Sequence, residues 1–155
     1  MNKYHNYNVE KLVSHRAPML LLDRVIEASQ LHAVVEATIT RNSNFYRAGQ
    51  GVPAWVGIEY MAQAIAVIGG VKALEDSDPV PMGYLLGTRN YHCAVPWFDD
   101  GCVLWVSCEE EVVDGNGLGA YNCQMAMEPF AINDVVAKSR LIVYKLPAVA
   151  ATTEI

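Results

Sequence analysis

The chain has 155 residues, 52% of them hydrophobic and 18% charged, and its 17 acidic and 11 basic side chains leave a net charge of −6. A composition this apolar excludes a disordered chain, and the negative balance argues against a nucleic-acid partner. At this length a single domain over residues 1–155 with a sizeable core is expected.

The four cysteines, Cys93, Cys102, Cys108 and Cys123, show no metal-ligand spacing and no CxxC pair. They read as reduced thiols of a cytoplasmic protein that needs neither metal nor cofactor. The opening MNKYHNYNVEK carries no apolar signal core, so export is not expected.

In chain order, residues 8–14 read as a short helix or turn capped by Asn8, stopped by the residues leading to Pro18. Residues 19–27 read as a strand. Residues 31–41 alternate Ala33, Val35, Ala37 and Ile39 against His32, Glu36, Thr38 and Thr40, the period of a half-solvated strand. A loop rich in Asn and Gly, 42–52, leads into the longest apolar run of the chain, 53–74. Pro53 suits a first helical turn, and a helix of this length would be roughly 30 Å long. Glu59 and Gln63, four apart, share one face, and Ala62, Ala66, Gly69, Gly70 and Ala73 form a stripe that a second backbone could approach.

A helix apolar nearly all round must be buried. Its length would also suit a bilayer, but Glu59 and Gln63 would be expensive in lipid, so no membrane span is expected. After an acidic connection at 75–82 the texture is β to the end. Strands are expected at 84–95, bent near Gly87, and at 102–114, 118–128 and 135–146. Asp114-Gly115-Asn116-Gly117 marks a tight hairpin, because Asn and Gly accept positive φ. A looser connection at 129–133 and a frayed tail at 147–155 complete the chain. The expected architecture is α+β, one long helix wrapped by a curled antiparallel sheet of about six strands.

Three segments, HRAPMLLLDRV (15–25), PAWVGIEYMAQA (53–64) and LLGTRNYHCAVPWFDDGCVL (85–104), resemble together the hot-dog family of β-hydroxyacyl-(acyl carrier protein) dehydratases. The wording of the helix and of LLGTR is most similar to the dehydratase-like subunits of aryl-polyene biosynthesis clusters. The resemblance implies a homodimer or a heterodimer with another hot-dog subunit, acyl thioesters of a carrier protein or CoA as substrates, and an acyl tunnel along the helix. It also implies a site at the subunit interface, where a His from one chain works with a carboxylate from the other. Glu59 matches that carboxylate and Gln63 the helix glutamine one turn on.

The family's His has no counterpart. Its position, 14 residues before Glu59, is Phe45, followed by Tyr46 and Arg47, and no histidine occurs from 33 to 91. Phe45, Tyr46, Arg47, Gln63, Trp55 and His92 are therefore candidates for the pocket, Trp55 being also a packing residue. His92 is the one later imidazole that could substitute, while His15 reads as an orienting or capping residue of its segment.

Dehydration needs a base at the α-carbon and an acid at the 3-hydroxyl, and Glu59, enclosed in a helix start, suits the acid. Three readings follow: a dehydratase subunit contributing Glu59 to a composite site, a thioesterase of the same fold, or a non-catalytic scaffold. Carrier-protein docking on an acidic chain would need a local basic patch, with Arg47, Lys72, Arg89 and Lys138 as candidates.

Overall fold

The computed structural model describes residues 2–127 and 135–146. Their strands are β1 (Arg24–Ala28), β2 (His32–Thr38), β3 (Val52–Pro53), β4 (Gly83–Cys93), β5 (Trp97–Phe98), β6 (Val103–Val113), β7 (Leu118–Met127) and β8 (Val135–Lys145), and α1 is Gly57–Glu75. Six strands form one sheet in the order β1-β2-β6-β7-β8-β4, antiparallel throughout, and β3 pairs with β5 in a ribbon of its own. The connection at 129–133 and the tail from 147 lie outside the described residues.

The alternation in β2 orders the core. Ala33, Val35 and Ala37 are buried and sit opposite Cys108, Val106 and Leu104 of β6, which are also buried. On this face α1 lays Met61, Ala64, Ile65, Ile68 and Val71, none more than 4% exposed. Burying one such aliphatic side chain stabilises by about 1.5–3 kcal/mol. Although Ala54–Glu75 is long and apolar enough for a bilayer, most of it is buried inside the protein.

Two elements begin later than the apolar pattern suggests. The helix starts at Gly57 rather than Pro53, after a 3-10 turn at Ala54–Val56. Pro53 is extended and pairs with Trp97, while the Ala54 N–H donates to Pro96 O at 3.0 Å and Tyr91 Oη–H donates to Ala54 O at 2.5 Å. Gly57 is required there, since a Cβ would stand 2.2 Å from the Tyr91 hydroxyl. Likewise β1 starts at Arg24, because the backbone of 19–21 bonds elsewhere. The Met19 and Leu20 N–H groups turn back to Arg16 O, and the Leu21 N–H goes to a side chain of α1.

The expected hairpin is present between β6 and β7. Asp114 Oδ1 accepts from the N–H groups of Asn116 and Leu118, and Gly117 takes φ +95° with its Cα against Lys145 O, where a Cβ would come within 2.4 Å. β4 shifts register at Leu85/Gly87, the expected bend, and again between Arg89 and His92. It ends the sheet, with no strand among the described residues on its other side, and exposes Tyr84, Leu85 and Leu86.

The N-terminal segment is tied to the far end of α1. Asn8 caps its 3-10 turn by accepting from the Glu10 N–H. Tyr4 Oη–H and Gln30 Nε2–H donate to the two oxygens of Glu75, with Lys3 beside them. The Gln30, Tyr4 and Lys3 contacts hold the Glu75 carboxyl down at about 2. A carboxylate held this low contributes stability above the ordinary range near 4.5 and loses it as pH falls toward 2. Replacing Glu75 by Gln should therefore flatten the fall of Tm between these pH values, which thermal melts of both proteins will check.

The small-residue stripe divides. A Cβ on Gly70 would lie 1.9 Å from Leu12 O, whereas on Gly69 it would meet Pro81 Cγ at an ordinary 3.5 Å. Gly70→Ala should lower stability by about 1–3 kcal/mol through overpacking. Gly69→Ala should be neutral or raise it by up to about 1 kcal/mol through helix propensity. Urea midpoints compare the two.

Candidate active site

Glu59 stands in the first turn of α1. Its side chain is 36% exposed, so the carboxylate is not enclosed as the apolar run implied. It opens on a groove because the helix face it shares, Ala62, Ala66 and Gly69, carries too little side chain to fill the space toward β4 and β8. Leu85 of β4 and Val143 of β8 form the opposite wall of this groove, of about 110 Å³, and Tyr121 of β7 lies at its floor.

Gln63 does not line the groove. It has no exposure, and its amide is engaged with three partners. Its Nε2 donates to Glu59 Oε1 at 2.9 Å and to Met19 O at 2.8 Å, and its Oε1 accepts from the Leu21 N–H at 2.8 Å. Glu59 is thereby fixed to the segment 19–21 as well as to its own helix.

His15 approaches the same carboxyl oxygen, with Nε2 3.8 Å from Glu59 Oε1. Its backbone is held by the Arg16 guanidinium, which donates to Val13 O (2.9 Å), His15 O (2.7 Å) and Glu10 O (3.0 Å). Both His15 and Glu59 line the groove. Among the described residues no other side chain makes a hydrogen bond or ion pair with Glu59. The HRAPM segment was the sequence signal for His15, but its partner 44 residues on could not be read from spacing.

The other candidates are elsewhere. Phe45 and Tyr46 border a separate basin with Leu20, Thr38 and Tyr60. Phe45 takes φ +71°, uncommon for a bulky residue, and its ring meets Trp55 edge-on at 5.8 Å, both side chains being exposed. The Arg47 guanidinium lies 5.7 Å over the Trp97 ring. His92 is exposed on β4, opposite Lys138 and away from the groove, while its neighbour Tyr91 points inward.

The four cations do not form one patch. Lys72 pairs with a largely buried Glu110, Arg47 belongs to Trp97, and only Arg89 and Lys138 share a shallow basin, with Arg140 and Gln124. At the groove floor, burial above all, then the Glu110 charge, pushes the Tyr121 hydroxyl up, so it stays protonated and cannot serve as a base. No three His, Cys, Asp or Glu side chains among the described residues converge as a metal site would require.

A long helix enclosed by a six-stranded antiparallel sheet, with a carboxylate at the helix start, is the hot-dog arrangement, and solved structures agree. A hypothetical thioesterase from Streptococcus pneumoniae with coenzyme A superimposes with TM-score 0.60 at 11% identity, over 80% of this chain and 85% of that one. A thioesterase from Haemophilus influenzae does so with TM-score 0.61 at 8% identity, over 84% and 82%. These two share the fold alone. The dehydratase heterocomplex ApeI:P from Xenorhabdus doucetiae matches at TM-score 0.81 and 32% identity, over 90% of this chain and 91% of that one. No curated protein matches significantly. The model of the ApeP-like family, described as ApeP dehydratase, matches residues 7–154, and the chain belongs to that family.

The Gln63 brace makes a direct test of the site. Gln63→Met keeps the volume but strands the Leu21 N–H and Met19 O, and should cost about 1–3 kcal/mol of stability. Urea unfolding measures it, and an unchanged midpoint would mean that the brace carries no net energy.

Proposed function

We propose that this chain is the carboxylate-bearing subunit of a 3-hydroxyacyl-thioester dehydratase, acting with a second hot-dog chain on an acyl group held by a carrier protein. The observation that carries the reading is Glu59, fixed by Gln63 at the mouth of an apolar groove. A thioester acyl chain lies along Ala62, Ala66 and Gly69, with its 3-hydroxyl at Glu59. A base removes the α-proton, the freed electron pair becomes the C2–C3 double bond, and the C3–O bond breaks. Protonated Glu59 gives its proton to the departing hydroxyl, which leaves as water.

The base belongs to the partner. In this chain the loop at 42–52 presents Phe45, which can neither accept nor donate a proton. The open side of β4 supports such a partner, since a long exposed strand edge with Leu85 and Leu86 uncovered is a surface for strand addition. The related ApeI:P structure is itself a heterocomplex.

The test mixes the full chain with its partner subunit and follows dehydration of a 3-hydroxyacyl carrier protein. Glu59→Gln should lower kcat by about 10²–10⁴-fold while the complex still elutes as one species. Leu86→Asp should weaken the complex itself. Full activity of the Glu59→Gln complex would remove the acid assignment, and release of free acid instead of the unsaturated thioester would make the protein a thioesterase.

A further inference from the structure

We infer that His15 is the positioning residue of Glu59, an imidazole supplied by this chain itself, which fixes one carboxyl oxygen so that the other faces the groove. The inference rests on the reading of Glu59 as the acid. It adds a member to the site from a segment, 15–25, that lies outside both the helix and the loop at 42–52.

The geometry is specific to one oxygen. Gln63 Nε2 and His15 Nε2 approach the same atom, Glu59 Oε1, at 2.9 and 3.8 Å, and no side chain among the described residues bonds Oε2. His15 Nδ1 is the one buried side-chain nitrogen or oxygen among the described residues without a hydrogen-bond partner. A proton on Nδ1 would therefore be a donor with no acceptor. A proton on Nε2 points at a carboxyl oxygen. The imidazole thus carries its hydrogen on Nε2 and donates toward Oε1, the separation closing when the groove is filled.

The Gln63 N–H already on Oε1, joined by the His15 N–H as the 3.8 Å separation closes, makes it the carbonyl oxygen of the acid. The transferable proton then resides on Oε2, the oxygen left without a side-chain partner among the described residues. A carboxyl group free to rotate would divide its proton between both oxygens, one of which faces Gln63 and the core. The Arg16 guanidinium, with three backbone carbonyls in its grip, keeps the His15 backbone from drifting. Solvent reaches 30% of the His15 side chain, so the ring is accessible to the thioester end of a substrate without being loose.

The experiment combines a spectroscopic and a kinetic readout on the full chain, alone and with its partner subunit. In long-range proton–nitrogen spectra of ¹⁵N-histidine-labelled protein, His15 should appear as the Nε2-protonated tautomer. Glu59→Gln should shift its ring nitrogens more than those of His5, His32 and His92. An Nδ1-protonated ring, or one indifferent to Glu59→Gln, overturns the inference.

In the dehydration assay, His15→Gln retains an N–H donor and should stay within about threefold of the parent kcat. His15→Phe retains only the shape, and should lose about 10–100-fold in kcat with KM nearly unchanged. If His15→Phe is fully active while Glu59→Gln is dead, His15 has no positioning role and the acid assignment stands. If Glu59→Gln is fully active, the acid assignment falls, and the spectra alone decide whether the two side chains interact. Should His15→Phe not fold, the spectra and His15→Gln still decide the question.

Discussion

The hydrogen bonds of Gln63 are the constraint on which the site depends. An amide with no solvent contact must find partners inside the protein, because each unpaired polar group would carry a desolvation penalty of about 1–3 kcal/mol. Three are found, and they belong to three places: the carboxylate one turn back, the carbonyl of Met19 and the N–H of Leu21. The helix, its acid and the segment leading to β1 are therefore one rigid unit. That same segment starts at His15, which is why a residue remote in sequence reaches Glu59.

The helix faces two environments, and its small residues serve both. Gly70 lets the backbone at Leu12 pack directly on α1, while Ala62, Ala66 and Gly69 withdraw from the opposite wall and leave a groove. Larger residues along the stripe would close the first approach by clash and the second by filling. The apolar groove with a polar head at one end thus follows from side-chain size along one helix face.

Much of this was legible in the sequence, and the boundary of legibility has physical causes. Strand β2 was readable because its inner face is buried and its outer face wet, so Ala33, Val35 and Ala37 stand out by alternation. The Asp114–Gly117 hairpin was readable because its chemistry is local. The start of α1 was not, since Pro53 has the φ of a helix and of a strand alike, and its choice was made by Trp97, 44 residues away. The ribbon of β3 and β5, only two residues on each side, has no period to detect. Glu59 and Gln63 were found through their spacing and the resemblance. Phe45 was singled out by a histidine missing from its position, but the imidazole nearest Glu59 came from a segment that pattern alone assigns to the fold. That Gln63 braces instead of lining the groove could not be seen without the bonds.

Strand β4 is wet on both faces along most of its 11 residues and, among the described residues, unpaired along one side, yet it supplies a wall of the groove through Leu85. One strand therefore has two duties: its free backbone edge is open to strand addition, and its Leu85 side chain bounds the groove, so anything that pairs with that edge also touches the shape of the cavity beside Glu59.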